Sequence, residues 1–210
     1  MKSVLISIQP KWCEKIASGE KTVEVRKTRP KLNPPFKVYI YCTQNTKKNA
    51  LHTYIRSGYG RKEFGIIEQW RSGKEVVDVN AHLPAYRYNA YLAEGKVIGE
   101  FVCDKIDYWN HHIHDDDTIT LERASELSCV SEDELLKYAD LGHFYAWHIS
   151  DLVIYDQPKE LSEFYKKCKS YPKDEWEYDD CLFCENPCGN GGKLHLTRPP
   201  QSWCYVEGGE

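Results

Sequence analysis

Short alternating segments separated by turns constrain the fold of this chain more than any other feature. Residues 3–8 (SVLISI) are apolar enough for a buried strand, while residues 21–27 and 36–42 alternate apolar and polar side chains. Residues 96–103 (KVIGEFVC) form a further strand-like segment. Because this alternation has the period of a strand with one buried face, we predict an α+β fold, a small barrel or rolled sheet rather than a doubly wound sheet.

Short helices are predicted between these strands. Residues 11–18 follow a proline and precede a glycine, and residues 131–139 begin with a serine capping box. Residues 61–70 and 161–167 are possible further helices, and residues 146–155 form one more strand. These helices are too short to form a separate layer, so we expect them at the periphery of the sheet.

Composition excludes two classes of protein. Aromatic residues make up 13% of the 210 residues, which is more than a disordered chain carries. No apolar run approaches the roughly 18 residues of a membrane helix, and the first apolar stretch is too short for a signal peptide. We therefore expect a folded cytoplasmic protein with one domain and an appendage.

Charge is distributed unevenly along the chain. Residues 1–75 contain 16 Lys and Arg against 6 Asp and Glu, while the whole chain has a net charge of −4. A basic first half favours an anionic partner such as nucleic acid. Alternatively, the two halves neutralise each other within the fold, or the acidic second half is a protein-interaction surface.

One motif points to a family. Residues 19–26 (GEKTVEVR) have the form G-x-K-x-x-E-x-R and resemble the ASCH domain family of the PUA-like superfamily. The segments 96–103 and 145–149 are similar to later ASCH strands, and residues 196–205 resemble the tail of a longer ASCH subgroup from bacteria and phages. The resemblance implies a PUA-like small β-barrel.

The resemblance also implies a domain division. It covers residues 1–156, in which residues 43–95 form a family-variable insertion. Residues 157–210 then form a Cys-rich C-terminal extension.

The family resemblance implies a cleft that binds RNA or a modified nucleotide. Some small ASCH proteins are amidohydrolases that remove the acetyl group from 4-acetylcytidine, using a lysine, a threonine and a later glutamate. Lys21 matches the lysine and Glu100 the glutamate, whereas Glu24 occupies the threonine position. The nearest hydroxyl is that of Thr22. An alternative function is therefore deacylation of an acylated nucleoside, with Lys21, Glu24 and Glu100 as catalytic residues and Thr22 or water as nucleophile.

The side-chain chemistry fits binding equally well. Arg26 carries a planar fork that suits a phosphate or a base edge. Glu24 accepts hydrogen bonds from an exocyclic amine, and Trp12 or Trp147 offers a ring for stacking on a base. The predicted ligand-binding residues are Lys21, Glu24, Arg26, Trp12 and Trp147. In the competing interpretation these charges form an ion pair that only organises the fold.

The C-terminal cysteines predict a structural zinc site. Five of nine cysteines follow residue 167, and a C-x-x-C pair brings two thiolates to one ion without strain. Free thiols, or a disulfide with a redox role, are the alternatives. The favoured ligands are Cys181, Cys184, Cys188 and Cys204, with Cys168 or His195 as substitutes.

Overall fold

The described part of the chain forms one large sheet, several small ones and three short α-helices. The computed structural model describes residues 2–44, 52–58, 61–67, 69–71, 75–77, 89–113, 118–140, 142–168 and 192–208, with the backbone alone between 52 and 91. The strands are β1 Ser3–Ile8, β2 Val23–Arg26, β3 Phe36–Cys42, β4 His52–Gly58, β5 Arg61–Ile67, β6 Gln69–Arg71, β7 Glu75–Val77, β8 Asn89–Leu92, β9 Val97–Cys103, β10 Ile106–Asn110, β11 His143–His148, β12 Ser150–Lys159, β13 Phe164–Lys167, β14 Lys193–His195 and β15 Trp203–Gly208. The helices are α1 Pro10–Ala17, α2 Leu121–Ser128 and α3 Glu132–Ala139.

The largest sheet has seven strands in the order β12-β9-β3-β1-β15-β13-β14. β1 lies near its middle, parallel to β3 and antiparallel to β15. Alternate side chains of these strands enter two apolar clusters, because successive residues of a strand point to opposite faces. Val4, Ile6 and Val38 belong to the cluster beneath α1, while Leu5 and Tyr39 belong to the cluster that contains Phe164, Leu196 and Val206.

A second sheet holds the strand that carries the family-like motif. Its order is β10-β11-β2, and all pairs are antiparallel. Val23 and Val25 of β2 pack with Phe144, Ala124 and Leu135 in a separate core that involves α2 and α3. Glu24 and Arg26 alternate with these valines and therefore lie on the opposite face of β2.

Sequence patterns located several elements correctly. α1 begins at Pro10, which tolerates the first helical position because it has no N–H to satisfy. α3 follows Ser131, whose hydroxyl accepts a hydrogen bond from the Glu134 amide, so the serine N-cap of the predicted capping box is confirmed. β1, β2, β3 and β9 lie within one or two residues of their predicted bounds.

Other predictions of secondary structure were wrong. Residues 61–70 form β5 and part of β6 rather than a helix, because β5 pairs along its length with β4. Residues 146–155 span two strands that break after His148. Only residues 161–163 of the predicted helix 161–167 are helical, as a 3-10 turn, and β13 follows.

The C-terminal residues are part of the main sheet. β15 pairs with β1 over residues 203–206, and β13 pairs with both β15 and β14. Strands on both sides of residue 157 thus belong to the large sheet, and the domain division stays a prediction. Within the described residues the large sheet has two edges, β12 and β14, and does not close into a barrel. No helix in this part of the chain is long and apolar enough to cross a membrane.

Candidate functional site

A cleft of about 680 Å³ opens where the seven-stranded sheet meets the β10-β11-β2 sheet. The end of β1, the first turn of α1, β2, α3 and the loop at 199–201 form its walls. Its volume falls in the range of small-molecule sites. The lining residues are Ser7, Ile8, Gln9, Lys11, Trp12, Lys21, Glu24, Val25, Arg26, Thr43, Val130, Glu134, Leu135, Tyr138, Pro199, Pro200 and Gln201.

A buried carboxylate lies between two cations in this cleft. Glu24 is only 6% exposed. Its Oε1 is 3.0 Å from Nη2 of Arg26, and its Oε2 is 3.3 Å from Nζ of Lys21. Two cations and one carboxylate leave this cluster with a formal charge of +1. Burying such charges is tolerated only when they are paired and hydrogen-bonded.

Lys21 is the most buried of the three at 2% exposure. Its ammonium donates a 2.8 Å hydrogen bond to the carbonyl of Ser128, the last residue of α2. A helix C-terminus favours a cation because its carbonyls carry partial negative charge. The ammonium also lies 5.2 Å from the centre of the Trp12 ring, and Lys11 lies 4.2 Å from the same ring. Trp12 therefore offers an aromatic surface that already attracts positive groups.

Arg26 connects the two sheets and keeps one donor unused. Its Nη2 donates a 2.6 Å hydrogen bond to the carbonyl of Ser7 at the end of β1. Its Nε is buried and has no acceptor among the described residues. A buried N–H without a partner costs free energy, so an acceptor supplied by a ligand would be favourable here.

The structure brings together four of the predicted site residues and separates three. Lys21, Glu24, Arg26 and Trp12 all line the cleft. Glu100, Trp147 and Thr22 are not among the lining residues.

Glu100 lies on the other face of the large sheet. It pairs in register with Tyr39, which belongs to the cluster opposite α1. Its carboxylate accepts hydrogen bonds from Lys37 at 2.8 Å and Tyr155 at 2.6 Å. Burial opposes ionisation of Glu100, but these two hydrogen bonds outweigh it and hold the pKa of the carboxyl below its ordinary value. Glu100 is therefore bound to its own partners, away from Lys21.

Trp147 and Thr22 are also placed outside the cleft. Trp147 is fully buried in the cluster beneath α1, edge-on to Phe36, so its ring offers no face for stacking on a ligand. Thr22 is exposed, and its backbone carbonyl accepts a hydrogen bond from the Ile149 amide. The structure thus does not bring Lys21 together with Glu100, as the deacylation alternative expects, and it places Thr22 outside the cleft.

Sequence reasoning missed several cleft residues. Lys11 and Gln9 flank the start of α1, and Tyr138 lies on the predicted capped helix α3. Tyr138 also accepts a hydrogen bond from the Lys27 amide and so connects α3 to the end of β2. The serine N-cap predicted this helix from the sequence. Its position against β2, however, depends on contacts between residues more than a hundred positions apart in the chain.

The zinc prediction depends mainly on residues outside the described part of the chain. Cys181, Cys184 and Cys188 lie there, and zinc binding stays a prediction. Among the described residues there is no group of three or more metal-ligating side chains. Cys204 lies on β15 opposite Leu5, and burial raises the pKa of its thiol. The ring of His195 lies 2.6 Å from the Ser162 carbonyl, and the Cys168 amide donates to the Gly192 carbonyl.

Comparisons with known proteins found neighbours among solved structures. No family model and no curated protein matches the chain. It is similar to the crystal structure of ASCH from Zymomonas mobilis, with 15% identity, a TM-score of 0.47, and coverage of 98% of this chain and 87% of that one. A tyrosine-to-phenylalanine mutant of that protein has 14% identity and a TM-score of 0.44, with coverage of 99% of this chain and 91% of that one. A serine-to-alanine mutant has 13% identity and a TM-score of 0.43, with coverage of 98% of this chain and 88% of that one.

These neighbours are named after the ASCH family, whose motif residues 19–26 resemble. At such TM-scores the likeness assigns no role to any residue. The roles of Lys21, Glu24 and Arg26 therefore rest on their own contacts.

Proposed function

We propose that the cleft binds one nucleotide unit of an RNA chain or a free modified nucleotide. The observation that carries this proposal is Arg26, a residue that lines the cleft and whose buried Nε has no acceptor among the described residues. A base carbonyl or a phosphate oxygen supplies the acceptor that this donor lacks. The resemblance of residues 19–26 to the ASCH family agrees with this assignment.

The remaining groups suit a nucleobase edge. An ionised carboxylate offers about four lone-pair sites, and the ion pairs of Glu24 with Lys21 and Arg26 engage only part of them. Glu24 is therefore able to accept a hydrogen bond from an exocyclic amine. Trp12 contributes a half-buried ring, which favours stacking because every base has a π-face. Donor, acceptor and ring thus coincide in one cavity.

A purely structural ion-pair cluster is the main competing interpretation. In that case Arg26 and Lys37 differ only in how much each stabilises the fold. In the binding interpretation only Arg26 affects ligand affinity, since Lys37 is bound to Glu100 outside the cleft. This difference defines the test.

Calorimetric titration with cytidine, 4-acetylcytidine, the four nucleoside monophosphates and a single-stranded heptamer RNA tests the proposal. We expect Arg26→Lys to weaken binding at least about 10-fold, since a lysine lacks the planar fork. Lys37→Ala should bind like the parent chain. Affinity for the heptamer should also fall with rising salt.

Two outcomes would contradict the proposal. No binding of any probe by the folded parent chain would leave the cluster with a structural role. Deacetylation of 4-acetylcytidine, detected by mass spectrometry and lost in Lys21→Ala, would replace binding by catalysis.

A further inference from the structure

An aromatic surface continues from Arg26 across the β10-β11-β2 sheet. Tyr145 pairs in register with Arg26 on one side and with Tyr108 on the other. His143 lies two residues before Tyr145 on β11 and therefore on the same face. We call Tyr108, Tyr145 and His143 the aromatic platform.

The rings of the platform form a compact triangle. The ring centres lie 5.3 Å apart for Tyr108 and Tyr145, 5.5 Å for Tyr108 and His143, and 5.4 Å for Tyr145 and His143. His143 is exposed, and both tyrosines are partly exposed. The amide of Asn110 donates a 2.7 Å hydrogen bond to the Tyr108 hydroxyl, which restrains this ring. The platform therefore leaves part of its aromatic surface at the solvent boundary, while Tyr145 also packs against the apolar cluster beneath α1.

Positive charge accompanies the platform. The exposed guanidinium of Arg29 lies 5.8 Å from the Tyr145 ring centre. The ammonium of Lys27 lies 5.5 Å from the Tyr138 ring, which itself lines the cleft. Single-stranded nucleic acids bind where stacking rings lie beside cations that meet the phosphates.

We propose that the aromatic platform is a second base-stacking subsite, which receives a nucleotide adjacent to the one in the cleft. This proposal rests on the proposed function and specifies its partner as single-stranded RNA. Directly opposed side chains on neighbouring strands have Cβ atoms about 5 Å apart. Tyr145 is therefore within one nucleotide step of Arg26, and Arg29 lies beside the connecting phosphate.

The test compares a mononucleotide with a single-stranded heptamer RNA of mixed sequence. Tyr145→Leu removes a stacking ring and should weaken heptamer binding about 5- to 100-fold. It should leave the affinity for the mononucleotide unchanged. Tyr145→Phe keeps the ring and should bind the heptamer like the parent chain. His143→Ala, at an exposed position, gives a second variant for which folding is not at risk, and it should also weaken heptamer binding alone.

The chain offers a matched control. Tyr165 contacts His195 with ring centres 5.7 Å apart, and Lys193 lies 4.9 Å from the same tyrosine ring. This trio has a similar composition but lies on β13 and β14 of the large sheet. Tyr165→Leu should not change heptamer affinity. An equal loss in Tyr165→Leu would show that any surface tyrosine gives the effect, and would overturn the proposal.

The outcomes separate the platform from the cleft. If Arg26→Lys weakens heptamer binding while Tyr145→Leu and His143→Ala do not, the platform proposal is wrong and the cleft remains. If Tyr145→Leu weakens it while Arg26→Lys has no effect, the platform binds RNA without the cleft, so the cleft proposal and the adjacency of the two subsites are both wrong. If the parent chain binds a mononucleotide but no heptamer, the platform proposal is wrong and the cleft remains; if it binds neither, both proposals are overturned.

Discussion

Two carboxylates of this chain have similar partners but very different surroundings. Glu24 contacts a lysine and an arginine, and Glu100 contacts a lysine and a tyrosine hydroxyl. Glu24 is almost fully buried and lines a cleft, whereas the side chain of Glu100 is 21% exposed and lies outside that cleft. The difference teaches that an ion pair indicates a site only where space and an unused donor accompany it.

Stability should separate the two carboxylates most clearly. Glu24→Gln leaves two buried cations without an anion, so we expect the free energy of unfolding to fall by about 3–5 kcal/mol. Glu100→Gln should cost about 1 kcal/mol or less, because Lys37 remains solvated. Urea unfolding followed by circular dichroism measures both values. Equal losses of the free energy of unfolding would show that the burial of Glu24 and the partial exposure of Glu100 do not set the cost of removing each charge.

Ligand affinity should separate the cations around them. We expect Arg26→Lys to lower nucleotide affinity at least about 10-fold, while Lys37→Ala leaves it unchanged. Arg26→Lys keeps a cation beside Glu24 but loses the planar fork, and Lys37→Ala removes the cation beside Glu100, so Lys37→Ala is the control outside the cleft. Titration at fixed salt concentration checks this pair. A larger loss of affinity in Lys37→Ala than in Arg26→Lys would place the ligand on the Glu100 face of the large sheet and contradict the cleft proposal.

The contrast also shows what sequence patterns could and could not predict. Alternation in residues 23–26 correctly placed Val23 and Val25 in a core and Glu24 opposite them, because this information is local. The face of Glu100 depends on how β9 pairs with β3, about sixty residues away, and on a register shift near Ile40. Local pattern does not contain that pairing.

The C-terminal strand was missed for a related reason. β15 lies in a stretch that looked irregular beside the cysteines, yet it pairs with β1 near the middle of the main sheet. α2 was missed as well, because its apolar positions are few. In both cases a partner distant in sequence stabilises a segment whose own pattern is weak.

Acid should destabilise the chain in part through Glu100. Its pKa is lower in the folded chain than its ordinary value of 4.5. Its stabilising contribution is therefore fully present above that value and is lost as pH falls through the folded-state pKa. We expect the urea midpoint of the parent chain to fall from pH 5 to pH 3, and to fall less in Glu100→Gln.

Residual acid sensitivity in Glu100→Gln has a second source. Burial opposes ionisation of Asp107, but hydrogen bonds with Lys105 and His148 hold its pKa below the ordinary value. When Asp107→Asn is combined with Glu100→Gln, the urea midpoint should fall still less between pH 5 and pH 3. If the urea midpoint of both variants falls between pH 5 and pH 3 as much as that of the parent chain, the lowered pKa values of Glu100 and Asp107 are contradicted.

A small effect on stability is also expected from Tyr155→Phe. The Tyr155 hydroxyl donates to Glu100 Oε2, and burial together with this hydrogen bond raises the pKa of the phenol. Removing the hydroxyl keeps the ring but deletes one donor, which should cost about 1 kcal/mol at neutral pH. The pKa of Glu100 should rise toward its ordinary value, as measured by carboxyl NMR titration. Nucleotide affinity should not change, because neither residue lines the cleft. A loss of affinity in Tyr155→Phe would connect the two faces of the sheet and remove the distinction between the two carboxylates.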